Sequence, residues 1–465
     1  MSAVARHLAE RFLAPHERRA VDVVLHHFGA GGRPRFEGWS EGGIRSIHEA
    51  DDDADYPSDR LLGRYLRHKP WVAPHRPICF LTDLHADREA FWRSLLVAGM
   101  VETGGGASNV PLESIPDAAF GLSEFGSSTH LVIGGDLFDK GPANLPLLDA
   151  IGTFLETGVE FTLLAGNHDV RTYLGIRHAG AKDPRLAHLF VRMGKKSVTL
   201  LKEVFDAELA GGDARGRLRD DEVRERLFPS DDWFEAFPRL AEGLVPPARI
   251  DKELRRIREK MAELEGRCLR LGMTLGDLDA AVERCRSMFL EEDGRFAWLF
   301  GGMRIAHREG SMLFAHAGVD DEAAIWLSRE GVESLQASFL ASLETSPFEL
   351  YNGSLGNMFR TKYRDLDLPL TGVGRAALHR AGIYAIVHGH RNVFLGQHMN
   401  FRRGLLNFAC DACVDRNTRS VEGLAGAGSA ATLIAEDGTI YGLSADHPAI
   451  KVFDPAAHGG WVTRP

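Results

Sequence analysis

HLVIGGDLFDKG (130–141) opens on a short apolar run suited to a buried strand and closes on glycines, carboxylates and a lysine. Four other stretches share that build: ICFLTDLHAD (78–87), VEFTLLAGNHDVR (159–171), SMLFAHAGVD (311–320) and IYAIVHGHRN (383–392). Each apolar run stops at a cluster of Asp, His, Gly or Asn, residue types that favour turns and carry metal-binding atoms. REAFWRSLLVAG (88–99) and NLPLLDAIGTFLETG (144–158) lie between them and read as helices. Strand, polar loop and helix in repetition predict an α/β fold, with the polar groups gathered at the carboxyl ends of the strands.

The rest of the chain is consistent with a large globular enzyme. It has 465 residues, 44% of them apolar and 26% charged, which excludes a disordered chain, a fibre and a small disulfide scaffold. A net charge of -10 argues against broad nucleic-acid binding. No run approaches the length of a membrane span. The N-terminal MSAVARHLAERFLAPHERR places charges every few residues, so it predicts an amphipathic helix rather than a secretory signal. The five cysteines, few and odd in number, suggest a reducing, cytoplasmic setting.

The expected organisation is a helical N-terminal extension (1–75), a core in two parts (76–171 and 311–465), and a mainly helical cap inserted at 172–310. Within the cap, IDKELRRIREKMAELEGRCLRLG (250–272) places Leu254, Ile257, Met261 and Leu264 three and four apart, and a second helix is expected over 275–292. Residues 100–129, rich in Gly and Ser, read as a long loop. Asp437-Gly438 between two apolar runs predicts a hairpin.

Taken together, the loop ends supply Asp83, His85, Asp136, Asn167, His316 and His390, with His388 in reserve. Carboxylates, imidazoles and an amide oxygen suit divalent manganese, iron or zinc. Two such ions close together need a bridging ligand, and a carboxylate has two oxygens to offer. Asp136, ending the second strand, is the natural bridge. Such a pair of ions would clamp a phosphate oxygen and lower the pKa of a water between them.

The ordered set D-x-H (83–85), GDxxDxG (135–141), GNHD (166–169), HAG (316–318) and GH (389–390) resembles the signature of the calcineurin-like metallophosphoesterases. The resemblance implies two β-sheets flanked by helices and two divalent metals, manganese first, with iron or zinc as alternatives. By position, Asp83 and His85 would hold one metal, Asn167, His316 and His390 the other, and Asp136 both. His168 would be the general acid, with Asp139 orienting it and keeping it protonated. Lys140, Arg171 and Asn167 would contact the phosphate, joined by Arg360 or Arg364, between which spacing does not choose. Three positions depart from relatives. Asn392 stands where many members have a second histidine, which the phosphoprotein phosphatases also lack; Lys140 replaces an arginine, and Asp169 a glutamate. The combination points to a phosphoserine or phosphothreonine phosphatase acting on a phosphorylated protein or small phosphate ester, with a diadenosine tetraphosphatase-type hydrolase as the alternative. A catalytically inactive scaffold is the reading from another class, and the intact ligand set argues against it.

Other features invite plainer readings. Cys410-Asp411-Ala412-Cys413 follows a strand-like run and suggests packing thiols rather than redox or zinc chemistry. Arg402, Arg403, Arg416 and Arg419 suggest a solvated surface. The 149 residues between Asn167 and His316 exceed what a core needs, and an insertion there must emerge at the rim of the site and shape substrate access.

Overall fold

Ile78–Leu81 is buried along its whole length because both of its faces are covered. Ile78 and Phe80 turn inward and pack with Val132, Leu164, Met312, Phe314, Val387 and Phe408, while Cys79 and Leu81 turn outward into the larger apolar cluster under the helices. The same alternation along each strand builds a two-sheet sandwich. Phe80 and Phe314 meet across it with ring centroids 5.7 Å apart. Burying a side chain of that size contributes roughly 2 kcal/mol.

The structure, a computed structural model, describes residues 35–38, 54–55, 57–67, 69–103, 111–210 and 218–463. One sheet has eight strands, in the order Arg35–Gly38, Ala449–Phe453, Ile440–Ser444, Ala430–Ile434, Ile78–Leu81, His130–Ile133, Phe161–Leu164 and Met303–Arg304. The other has six, in the order Ala306–Glu309, Met312–Ala315, Ala385–His388, Leu405–Ala409, His398–Arg402 and Ala54–Asp55. Ile78–Leu81, His130–Ile133 and Phe161–Leu164 run parallel in the first sheet, and Met312–Ala315 and Ala385–His388 run parallel in the second. All five motif-bearing loops therefore leave the carboxyl ends of central strands. The predicted hairpin is present, with Ile434 paired to Ile440 and Gly438 at a φ of 82°.

Several expectations change. Among the described residues of 1–75, only Asp59–Leu66 is helical. Arg35–Gly38 pairs with Ala449–Val452, Ala54–Asp55 with Phe401 and Asn400, and Pro70–Val72 with Trp461–Thr463. These pieces are too short to show a period, and they form because sheet edges offer unpaired backbone groups. The proposed N-terminal amphipathic helix lies outside the described residues. Within 100–129, Val101–Thr103 and Phe120–Leu122 form a hairpin, anchored where Phe120 stacks on Trp92 at 4.0 Å. The core also resumes earlier than 311, since Met303–Arg304 pairs with Leu163–Leu164 and Ala306–Glu309 with Met312–Ala315.

The long helices of the insertion are Pro247–Arg270 and Leu275–Leu290. The first buries Ile250, Ile257, Leu264 and Cys268 on one stripe. The second begins at Thr274, whose Oγ1 accepts from Asp277 N at 3.0 Å while the Asp277 carboxylate accepts from Thr274 N at 3.0 Å. The insertion shares one apolar cluster with the core. Phe289 and Phe300 lie 5.8 and 5.9 Å from Phe138, inside the GDLFDKG loop. Glu203 accepts from Asn144 Nδ2 at 2.9 Å, and Asn144 Oδ1 accepts from Asp139 N at 3.0 Å.

Arg419 is not a surface group. Its side chain is 2% exposed, it grips Asp446 at 2.6 and 2.7 Å, and it donates to the Ala425 and Gly426 carbonyls. Arg403 and Arg416 are exposed and Arg402 is half-buried. Cys410 and Cys413 are buried free thiols. Among the described residues no helix is long and apolar enough to cross a membrane.

Candidate metal centre

The loops that follow the strands are strained where they turn inward. Asp83, His85, Ala86, Asp136, Asp139, Lys140 and His390 all have φ between 43° and 69°. Left-handed backbone at non-glycine residues costs of order 1–3 kcal/mol each, and such strain gathers where the surroundings over-determine a site. Gly135, at φ 87°, and Gly166 stand back to back. A Cβ on Gly135 would lie 2.5 Å from Gly166 N, and one on Gly166 would lie 2.1 Å from Asp136 N. Only glycine lets these two loops touch.

Asp169 fastens them together. Its carboxylate accepts from the backbone N–H groups of Asp136 at 2.7 Å, Leu137 at 2.8 Å and Gly166 at 3.0 Å. The shorter side chain in the family's glutamate position thus holds backbone. Asp169→Ala would strand three buried donors, at roughly 1 kcal/mol or more apiece. We expect chemical denaturation to show a loss of at least about 3 kcal/mol; a loss within experimental error would count against this role.

The candidate ligands converge as two groups that share Asp136: Asp83, His85 and Asp136 in one, Asp136, His316 and His390 in the other, with each group's donor atoms within 4.8 Å of one another. Asp136 faces both. Its Oδ1 is 3.4 Å from His316 Nε2 and its Oδ2 is 3.7 Å from His85 Nε2. Backbone carbonyls set the imidazoles, Phe138 O against His85 Nδ1 at 3.0 Å and Gly134 O against His316 Nδ1 at 2.7 Å, so that each Nε2 points inward. His390 is turned the other way, with Nε2 against Arg360 O at 3.1 Å, and its backbone N–H donates to Asp83 Oδ2 at 2.8 Å.

Two of these inward atoms, Asp83 Oδ1 and His316 Nε2, are buried without a hydrogen-bond partner, and so is the amide oxygen of Asn167, at the start of the helix Asn167–Arg177. A buried polar atom left unpaired is costly. Two carboxylates and three imidazoles facing one another make a donor set suited to divalent cations. The residues therefore fit a pair of bound ions.

The electrostatics follow from burial. Burial works against the Asp136 charge, yet the adjoining His316 and His168 hold its carboxyl well below the usual range. Asp83 is pushed up, chiefly by burial. Burial also works against charge on His316, but Asp136 and Asp83 raise it to about 9. Burial pushes His85 and His390 well down, towards the neutral form that ligates metals.

His168 Nδ1 lies 2.9 Å from Asp139 Oδ2. Arg171 donates to the same oxygen at 3.2 Å and stands 2.8 Å from His168 Nδ1. The expectation that Asp139 keeps His168 protonated needs correction. Burial and the Arg171 charge outweigh the pull of Asp136 and Asp139, and the imidazole is shifted downward. Lys140 Nζ sits 2.5 Å from His85 Nε2, turned into the ligand group. Arg360 is tied to the centre through its carbonyl, while Arg364 is exposed. His388 is a core histidine, 4% exposed, outside both groups and pushed down to about 3 by burial.

Sequence reasoning singled out Asp169 only as a replaced glutamate, without a role, and missed Asp411. The latter is 1% exposed, its Oδ2 has no hydrogen-bond partner, and it is raised well above the carboxylate range by burial and by the neighbouring Asp83 charge. Nothing in the CDAC tetrapeptide announced it.

Comparison with known proteins adds a family. No curated protein matches the chain significantly. Among solved structures, a cold-active protein tyrosine phosphatase is 14% identical with a TM-score of 0.40, covering 88% of this chain and 87% of its own. The cold-active protein-tyrosine phosphatase of a psychrophilic Shewanella is 15% identical with a TM-score of 0.37, covering 88% of both chains. A Saccharomyces cerevisiae protein serine/threonine phosphatase with similarity to human phosphatase PP5 is 9% identical with a TM-score of 0.36, covering 85% of this chain and 87% of its own. The calcineurin-like phosphoesterase profile matches residues 76–390, which hold every candidate ligand, and the chain belongs to that family of metal-dependent hydrolases acting on phosphoesters.

Proposed function

We propose that the protein is a phosphomonoesterase of the phosphoserine/phosphothreonine class, working through the centre built on Asp136. The observation that carries this reading is the sharing of Asp136 between two ligand groups, each with a buried donor atom that nothing else satisfies. Asp83, His85 and Asp136 would hold one ion, and Asp136, Asn167, His316 and His390 the other. When bound, the pair supplies Lewis-acid charge for phosphoryl oxygens and lowers the pKa of water, with manganese the first candidate.

The chain's own residues do the rest. Arg171 and Lys140 bring positive charge to the phosphoryl oxygens, Arg171 as a forked donor and Lys140 as a point charge. Asp139 fixes the His168 ring through Nδ1, leaving Nε2 to hold a proton and pass it to the departing oxygen. The protein-phosphatase class is supported by the ordered motifs and by Asn392 in place of a second histidine.

Purified protein supplied with manganese is expected to hydrolyse p-nitrophenyl phosphate and a phosphoserine peptide, and a chelator should abolish both activities. The peptide should be turned over faster than diadenosine tetraphosphate. Rates indifferent to metal would overturn the mechanism. Preference for the dinucleotide would move the enzyme to the polyphosphate-hydrolase class.

A further inference from the structure

Beyond Arg171 the positive charge continues into the insertion. Tyr351, 9% exposed, lies with the Arg192 guanidinium 4.2 Å and the Arg360 guanidinium 5.1 Å from its ring centroid. Arg192 comes from the short insertion helix Leu189–Met193, and Lys260 from Pro247–Arg270 donates to the Arg192 carbonyl. Glu253 accepts from Arg192 at 2.7 Å. Arg360 Nε is buried without a hydrogen-bond partner. Asp367, whose charge acts on Arg360, is occupied by the backbone N–H groups of Lys362 and Arg364 at 2.8 and 3.0 Å.

The groups feel one another. Burial opposes the Tyr351 phenolate, yet the Arg192, Arg360 and Arg171 charges pull the phenol below its ordinary value. Burial first, then Arg171 and Arg192, push Lys260 down to about 7. With Arg171 paired to Asp139, the three cations Arg192, Lys260 and Arg360 still share the one half-buried acid Glu253, and excess positive charge held out of bulk water is expensive unless an anion completes the arrangement. Arginine forks match phosphate oxygens in geometry as well as charge.

We propose that Arg192, Lys260 and Arg360, grouped around Tyr351, form a second anion subsite that binds a further phosphoryl group of the same substrate. This rests on the phosphoesterase reading of the neighbouring centre. The cluster joins that centre through Arg171, which touches His168 and Asp139. His168 faces the departing oxygen in that reading, so the second phosphoryl group belongs to the leaving-group side. Singly phosphorylated substrates leave the subsite unfilled, whereas a multiply phosphorylated peptide or a nucleoside polyphosphate fills it. The insertion then sets specificity by supplying two of the three cations.

The test has a binding arm and a turnover arm, both on the full chain. In the first, calorimetry measures inorganic pyrophosphate binding to metal-stripped protein. Arg192→Gln and Lys260→Gln should each weaken it about tenfold or more, with Arg192→Lys intermediate and unchanged melting temperatures vouching for the fold. In the second, the ratio of kcat/KM for a doubly over a singly phosphorylated peptide, and for diadenosine tetraphosphate over p-nitrophenyl phosphate, should exceed about ten and fall towards one in both Gln variants. Whichever ratio is larger identifies the source of the second phosphoryl group. Pyrophosphate binding equal in wild type and both variants overturns the subsite, as do ratios the variants leave unchanged. If no substrate is turned over but pyrophosphate binding is still lost in the variants, the subsite stands and the assigned reaction falls.

Discussion

Asp136→Asn is expected to lower kcat for p-nitrophenyl phosphate by roughly a thousandfold or more, and elemental analysis should find fewer than two bound ions per chain. The change is nearly isosteric, so the loss reads chemistry rather than packing. In the native site one oxygen of Asp136 faces His316 and the other faces His85, at 3.4 and 3.7 Å. Asparagine keeps one of those acceptors and turns the other into a donor, so no orientation serves both ligand groups. It also removes the charge that holds His316 about 9, well above an ordinary imidazole. Electrophilic stabilisation by a bound ion is worth several kcal/mol, and each 1.4 kcal/mol is tenfold in rate, which gives the expected size. The backbone N–H of His168, now bonded to Asp136 Oδ1 at 2.8 Å, can keep its partner, so a folded variant is expected. Full metal content together with wild-type turnover would end the case for a shared carboxylate.

The convergence of Asp83, His85, Asp136, His316 and His390 was legible because each sits at the end of an apolar run, and the carboxyl ends of parallel strands in packed sheets lie together. Chain order and residue type were enough for that, without any contact being known. The parts that hold the ligands in place were not legible. Asp169 matters because of three backbone N–H groups, two of them more than thirty residues away, and a bond to backbone leaves no residue type to read at the other end. Asp411 reaches Asp83 from a segment that reads only as a cysteine pair. The edge strands Arg35–Gly38 and Ala54–Asp55 are four and two residues long, below the length at which alternation can be seen.

The insertion shows the same limit differently. Its two long helices were evident from periodicity, but its apolar faces do not state where they pack. They close on the GDLFDKG loop, Phe289 and Phe300 against Phe138, while Glu203 steadies Asn144 and, through it, the backbone of Asp139. The carbonyl of Phe138 sets the His85 ring. A segment read as a cap over the site is therefore also a support beneath it, and removing the segment would disturb the ligands themselves rather than substrate preference alone.

His168 is where a loss should depend on the substrate as well as on the enzyme. General acid catalysis typically contributes 10²–10⁴-fold, but only where the leaving oxygen needs a proton. We expect His168→Ala to lower kcat for a phosphoserine peptide or an alkyl phosphate by about a thousandfold, and to affect p-nitrophenyl phosphate far less, since nitrophenolate departs unprotonated. The geometry supports that division: Nδ1 is committed to Asp139 at 2.9 Å, and Nε2 lies 3.9 Å from Asp136 Oδ2 at the face of the ligand groups. Burial and the Arg171 charge shift the imidazole downward, and the alkyl-phosphate rate should fall as pH rises and the acid form is lost. A bound phosphate places negative charge beside the ring and opposes that shift, which makes kcat the parameter to follow, since it reports the substrate complex. Asp139→Asn should reproduce part of the loss with the same dependence on leaving group, because the neutral amide no longer stabilises the imidazolium, the form in which Nε2 carries the transferable proton. Equal losses with nitrophenyl and alkyl substrates would place His168 in substrate positioning instead, and the proton for the leaving oxygen would have to come from elsewhere in the site.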